Sequence, residues 1–143
     1  MYLFDTNIVS ELRKLPGGRC CEPVKLWASQ VDASTSYLSV VTILEIELGI
    51  LQVNRRDAAQ GAILRRWFDG LRDHYESRII AIDSVVAIKA ASLHVPDPKS
   101  DRDALIAASA IVNGLAVVTR NVGDFRDTGA NLINPWLLSL IHI

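Results

Sequence analysis

The sequence predicts a single α/β domain built on a mainly parallel β-sheet, and three observations carry that expectation. Short runs of β-branched and aromatic residues alternate with longer stretches of helical periodicity. One helical stretch, Ala104 to Asn113, is apolar on nearly all sides, as a buried helix must be. The chain has 143 residues, 50% of them hydrophobic and 22% charged. That is enough for one domain to bury its own core without disulfides or a structural metal.

The elements follow in order. Tyr2-Leu3-Phe4 is a short apolar run ending at Asp5 and reads as the first strand. Asn7 to Lys14 is helical, with Ile8, Leu12 and Leu15 on one face, and Pro16-Gly17-Gly18 stops it. Pro23 begins a second short helix carrying Val24, Leu26 and Trp27. Thr35 to Val40 has strand composition. Thr42 and Glu45 then stand at capping-box spacing, which predicts a helix start at Thr42.

From about Arg56 to Tyr75, Ile63, Leu64, Trp67, Phe68 and Leu71 mark one helical face and Arg65, Arg66, Asp69, Arg72 and Asp73 the other. Arg78 to Ile82 is a third strand, and Asp83 or Ser84 caps a helix running to about His94. Pro96 and Pro98 make a loop, Asp103 opens the buried helix, and Gly114 sits at its C′ position. Leu115 to Thr119 and Asn131 to Asn134 supply the last strands. No internal repeat divides the chain.

Composition excludes several classes. A mean hydropathy of +0.23 is incompatible with a disordered linker. The two cysteines, Cys20 and Cys21, are adjacent and cannot build a disulfide framework or a zinc knuckle. The start lacks a basic n-region, and the longest apolar stretch falls short of the ~18–20 residues of a membrane span, so a cytoplasmic, membrane-free location is expected. Net charge is −1, without the basic footprint of many nucleic-acid binders, although eleven of the fifteen basic residues are arginine.

The informative residues are acids. Asp5 directly follows the first strand, Glu45 lies in a first helical turn after the second, Asp103 opens the buried helix, and Asp124 lies just past the strand at Leu115 to Thr119. In an open parallel sheet these positions share the edge at which ligands bind. Each acid also has an ordinary reading as a helix cap or turn residue. Together they predict a carboxylate cluster that needs a cation, and with no His or Cys nearby that cation is Mg²⁺ or Mn²⁺. The matching chemistry is metal-assisted attack of water on a phosphodiester.

Four segments then resemble one family. Leu3-Phe4-Asp5-Thr6-Asn7-Ile8-Val9-Ser10-Glu11-Leu12 resembles the opening motif of PIN-domain ribonucleases, particularly VapC toxins and their FitB-like relatives. Glu45-Ile46-Glu47-Leu48-Gly49 is similar to the family's acid four residues before a glycine. Asp103-Ala104-Leu105-Ile106-Ala107-Ala108 and Val118-Thr119-Arg120-Asn121-Val122-Gly123-Asp124-Phe125 resemble its third and fourth acid motifs, and Asn134-Pro135-Trp136 its ending.

The resemblance spans about residues 1–136 and implies a single three-layer PIN domain, followed by an apolar tail at 137–143. It also implies a Mg²⁺ or Mn²⁺ site and endonucleolytic cleavage of RNA. By matched position, Asp5, Glu45, Asp103 and Asp124 would be catalytic and metal-binding, with Asn7, Thr119 and Asn121 as polar support. A homodimer and a small antitoxin, whose C-terminal segment fills the acidic groove, would be the protein partners.

Other readings fit less well. A receiver-like Mg²⁺-binding signalling domain needs a lysine after a late strand, and Lys14, Lys25, Lys89 and Lys99 are all elsewhere. An Asp-x-Asp phosphatase fails at Asn7, and a catalytically silent PIN scaffold would not need all four acids. Arg120, beside the cluster, is a candidate RNA contact. Arg55, Arg56, Arg65, Arg66 and Arg72 are read as a solvated helical face and Trp27, Trp67 and Trp136 as core or interface. His74, His94 and His142 share no spacing and receive no role.

Overall fold

The computed structural model describes residues 1–137; the expected apolar tail beyond Leu137, with His142, lies outside the described residues. Five parallel strands form one sheet: β1 (Tyr2–Phe4), β2 (Ser36–Ser39), β3 (Ile79–Ile80), β4 (Ala116–Val118) and β5 (Leu132–Ile133), in the order β3-β2-β1-β4-β5. Among the described residues six α-helices connect them: α1 (Thr6–Leu12), α2 (Glu22–Ser29), α3 (Val40–Arg56), α4 (Ala58–His74), α5 (Ser84–Leu93) and α6 (Asp101–Asn113).

Alternation along the central strands builds the three expected layers. Leu3 and Val117, paired across β1 and β4, enter one apolar cluster with Val41, Ile106, Ala107, Ala110 and Phe125. Their neighbours Phe4 and Val118 face the other way, into Ile8, Val9, Val24, Trp27, Ile46, Ile50 and Phe68. Helices α1 to α4 therefore cover one face. Helices α5 and α6 cover the other, where Ala104, Ala107, Ala108 and Ala110 are fully buried and let α6 approach closely. At the end of α6, Gly114 takes φ +68°, the left-handed C′ conformation that favours glycine.

Two helix starts differ from expectation. Helix α3 begins at Val40, capped by Ser39, whose Oγ accepts the Val41 N–H at 3.0 Å. Thr42 is fully buried inside the first turn, so tertiary packing, not a capping box, sets this boundary. Helix α6 begins at Asp101 behind a Ser100 cap, which places Asp103 within the first turn rather than at its opening.

Asp57 alone joins α3 to α4, donating its N–H to Val53 O at 2.8 Å and accepting the Gln60 N–H at 3.0 Å. The tight hairpin brings Gly61 against α3: a Cβ there would meet the Asn54 Cα at 2.9 Å. Gly61→Ala is therefore expected to cost about 1–3 kcal/mol of stability even though alanine is the better helix former. Urea denaturation measures this, and a variant more stable than wild type would contradict the close approach.

Candidate active site

The strand order reverses between β1 and β4, and ligands of open α/β sheets bind just outside such a switch point. Asp5 stands there. Its N–H donates to Val118 O at 3.0 Å, the last tie between β1 and β4, and the chain turns directly into α1. Its Oδ1 accepts the Thr6 N–H at 2.8 Å as the helix cap. Its Oδ2 accepts the Thr119 hydroxyl at 2.9 Å and, more weakly, the Asn7 amide at 3.4 Å.

Thr119, fully buried at the end of β4, also accepts from the Asn7 side chain at 3.2 Å and from the Asn121 N–H at 3.0 Å. Asn7 completes the clamp by accepting the Arg120 N–H at 3.1 Å. Asp5, Asn7 and Thr119 thus form one network across both strand ends. Asn121 joins it through its backbone.

Glu45 reaches the cleft from α3. It accepts the Thr6 hydroxyl at 2.7 Å and faces the Arg102 guanidinium at 3.6 Å. The buried Thr42 hydroxyl lies 3.4 Å from that of Thr6. Asp103 projects from the first turn of α6, half-buried. Asp124 is exposed on the 3₁₀ turn Val122–Phe125, which the fully buried Phe125 pins to the core.

These carboxylates act on one another. Burial raises the Asp5 carboxyl above the usual range against the lowering effect of Thr119 and Thr6, and Glu45 and Asp124 add to the rise. Asp103 is pushed up to about 6, first by burial and then by the negative charges of Asp124, Asp5 and Glu45. Among the described residues, no three acid, His or Cys side chains already stand together around one ion position. The donor set is all oxygen, with its repulsion only partly offset by Arg102 at Glu45, which suits a hard divalent cation that would draw the groups together.

A raised carboxylate pKa makes the native state bind more protons than the unfolded chain. Stability contributed by Asp103 is therefore present at low pH and lost as pH rises from about 4 through 6. In EDTA, Asp103→Asn is expected to flatten that loss and to gain on the order of 1 kcal/mol at pH 7, after allowing for solvent screening. Denaturant titrations at several pH values test this; an unchanged pH slope would contradict it.

All four predicted acids thus come to one edge, as do Asn7 and Thr119. Arg120 is beside them, but its guanidinium lies over the Trp136 ring, 5.6 Å from the centroid. Sequence reading missed Thr6, Thr42 and Arg102. Thr6 and Arg102 each adjoin a singled-out acid, yet nothing in their spacing marks them. Of the arginine face, Arg65 pairs with Glu47 through two hydrogen bonds and so ties α4 to α3, whereas Arg72 pairs with Asp69 within α4.

Residues 2–131 match the family described as PIN domain, and the chain belongs to that family. It is 31% identical over 144 residues to the plasmid stability protein StbB of Pseudomonas syringae pv. tomato, covering 95% of this chain and 99% of that protein. It is 29% identical over 144 residues to a VapC ribonuclease of Sinorhizobium fredii, covering 95% and 98%. The fold superposes with a TM-score of 0.85 and 28% identity on the crystal structure of FitAcB from Neisseria gonorrhoeae, covering 96% of this chain and 100% of that one. No described helix is long and apolar enough to cross a membrane.

Proposed function

We propose that this chain is an endoribonuclease dependent on Mg²⁺ or Mn²⁺ and the toxin of a toxin–antitoxin pair. The observation that carries the reading is the meeting of Asp5, Glu45, Asp103 and Asp124, from four separate elements, at the switch point of a PIN domain. Similarity to a VapC ribonuclease and to FitAcB supports it.

In this reading residues 1–136 are one catalytic domain and the four carboxylates hold the ion. A divalent ion bound there supplies the positive charge that acidifies an attacking water and stabilises the leaving oxygen. Thr119 and Asn7 hold the Asp5 carboxylate in one orientation, and Thr6 does the same for Glu45. Asn121 supports the turn carrying Asp124, and Arg120 offers its guanidinium to an RNA phosphate. The excess negative charge equally favours a basic inhibitory segment from a small antitoxin, and the assembly is a cytoplasmic homodimer.

The test is cleavage of a labelled total RNA pool by the purified chain with Mg²⁺ and with EDTA. Discrete fragments with Mg²⁺ alone are expected. The same fragments in EDTA would overturn the metal dependence, and no fragments in either would overturn the nuclease.

A further inference from the structure

A groove of about 240 Å³ opens from the acid cluster between α1, α3 and α4. Thr6 and Glu45 form its site end; Ser10, Arg13, Gly49 and Trp67 line it further along, together with aliphatic side chains of α3 and α4. We propose that this groove is the subsite for one unpaired base of the RNA next to the bond that is cut, with Arg13 held against that nucleotide's phosphate. The inference rests on the ribonuclease reading and deepens it.

Continuity is the first argument. Glu45 and Gly49 are one helical turn apart on α3 and face the same cleft, so a strand whose phosphate reaches Glu45 can continue directly into the groove. Size is the second: the space is below the roughly 300–1,000 Å³ of drug-sized pockets and suits a single planar base. Chemistry is the third. The half-buried Trp67 supplies an aromatic wall, and the Arg13 guanidinium lies 5.7 Å from its ring centroid. Among the described residues Arg13 pairs with no carboxylate, so its charge is available to a phosphate.

Gly49 is the fourth argument. It lies in the middle of a 17-residue helix, where glycine is a poor choice. No unusual φ requires it, and a Cβ there would meet nothing within 4 Å. Packing does not demand this glycine, and its lack of a side chain leaves the groove floor beside Glu45 open.

The experiment uses the full chain, a single-stranded RNA pool with a randomised central segment, and the variants Gly49→Leu and Arg13→Gln. Base preference around the cut, KM and kcat are measured with Mg²⁺. Binding of the pool is measured by fluorescence anisotropy with Ca²⁺ in place of Mg²⁺, and each variant is melted to establish folding.

Gly49→Leu is expected to keep or raise the Tm, to flatten base preference, and to raise KM about tenfold with a smaller change in kcat. Arg13→Gln is expected to weaken binding several-fold and to reduce the salt slope by about 0.7, as loss of one phosphate contact does. Should Gly49→Leu fail to fold, the Arg13→Gln salt slope decides. Wild-type base preference and KM in folded Gly49→Leu, or a wild-type salt slope in Arg13→Gln, would overturn the subsite while leaving the nuclease standing. Wild-type chain that neither binds nor cuts the pool would overturn the nuclease and the subsite together.

Discussion

Asp5→Asn is expected to lower RNA cleavage by at least on the order of 10²–10³-fold while leaving the fold in place. Asparagine preserves the volume and retains one carbonyl oxygen to accept the Thr6 N–H, so the cap of α1 survives. What it removes is a charge from the cluster and the oxygen that accepts the Thr119 hydroxyl at 2.9 Å. The lost hydrogen bond costs about 1 kcal/mol, offset in the metal-free protein by relief of a buried charge that Glu45 and Asp124 repel. Steady-state cleavage and a thermal melt on the same preparation check both halves. A folded variant with full activity would remove Asp5 from the mechanism.

The largest stability effect is expected at Phe125→Ala, at about 3–5 kcal/mol. Its side chain is fully buried among Leu3, Val41, Ile106 and Val117, so truncation leaves a cavity bounded by β1, β4 and α6, rigid elements that collapse poorly. Phe125 also ends the turn that carries Asp124, and its carbonyl accepts the Thr128 N–H at 3.1 Å and the Thr128 hydroxyl at 2.6 Å. Loss of the anchor should therefore reduce cleavage even at temperatures where the variant stays folded. Denaturant unfolding gives the first number; a cost below about 1 kcal/mol would contradict this packing.

The order of the elements and the four acids could be read from the sequence because each depends on local pattern. Leu3 and Phe4 alternate, Gly114 ends a helix, and Asp5 stands alone behind an apolar strand. The start of α3 could not be read so. Thr42 and Glu45 have capping-box spacing, but both face the cleft, where the 2.7 Å bond from Thr6 to Glu45 is set by α1. The partners of the acids were hidden for the same reason: Arg102 and Glu45 are far apart in sequence and meet at 3.6 Å only after α3 and α6 pack. Electrostatic coupling of Asp103 to Asp124, Asp5 and Glu45 follows tertiary distance, which no spacing rule contains.

The strand order has a consequence for a chain growing on a ribosome. The central strand, Tyr2–Phe4, is made well before one of its two neighbours, Ala116–Val118. Synthesis proceeds at about 5–20 residues per second, so Asp5 waits on the order of 6–24 s before Asp124 has even been polymerised. Throughout that interval the nascent polypeptide has no Thr119 to orient Asp5 and no complete set of acids. Whatever cutting power the folded molecule has is withheld from the message and the machinery producing it until Asp124 has been made.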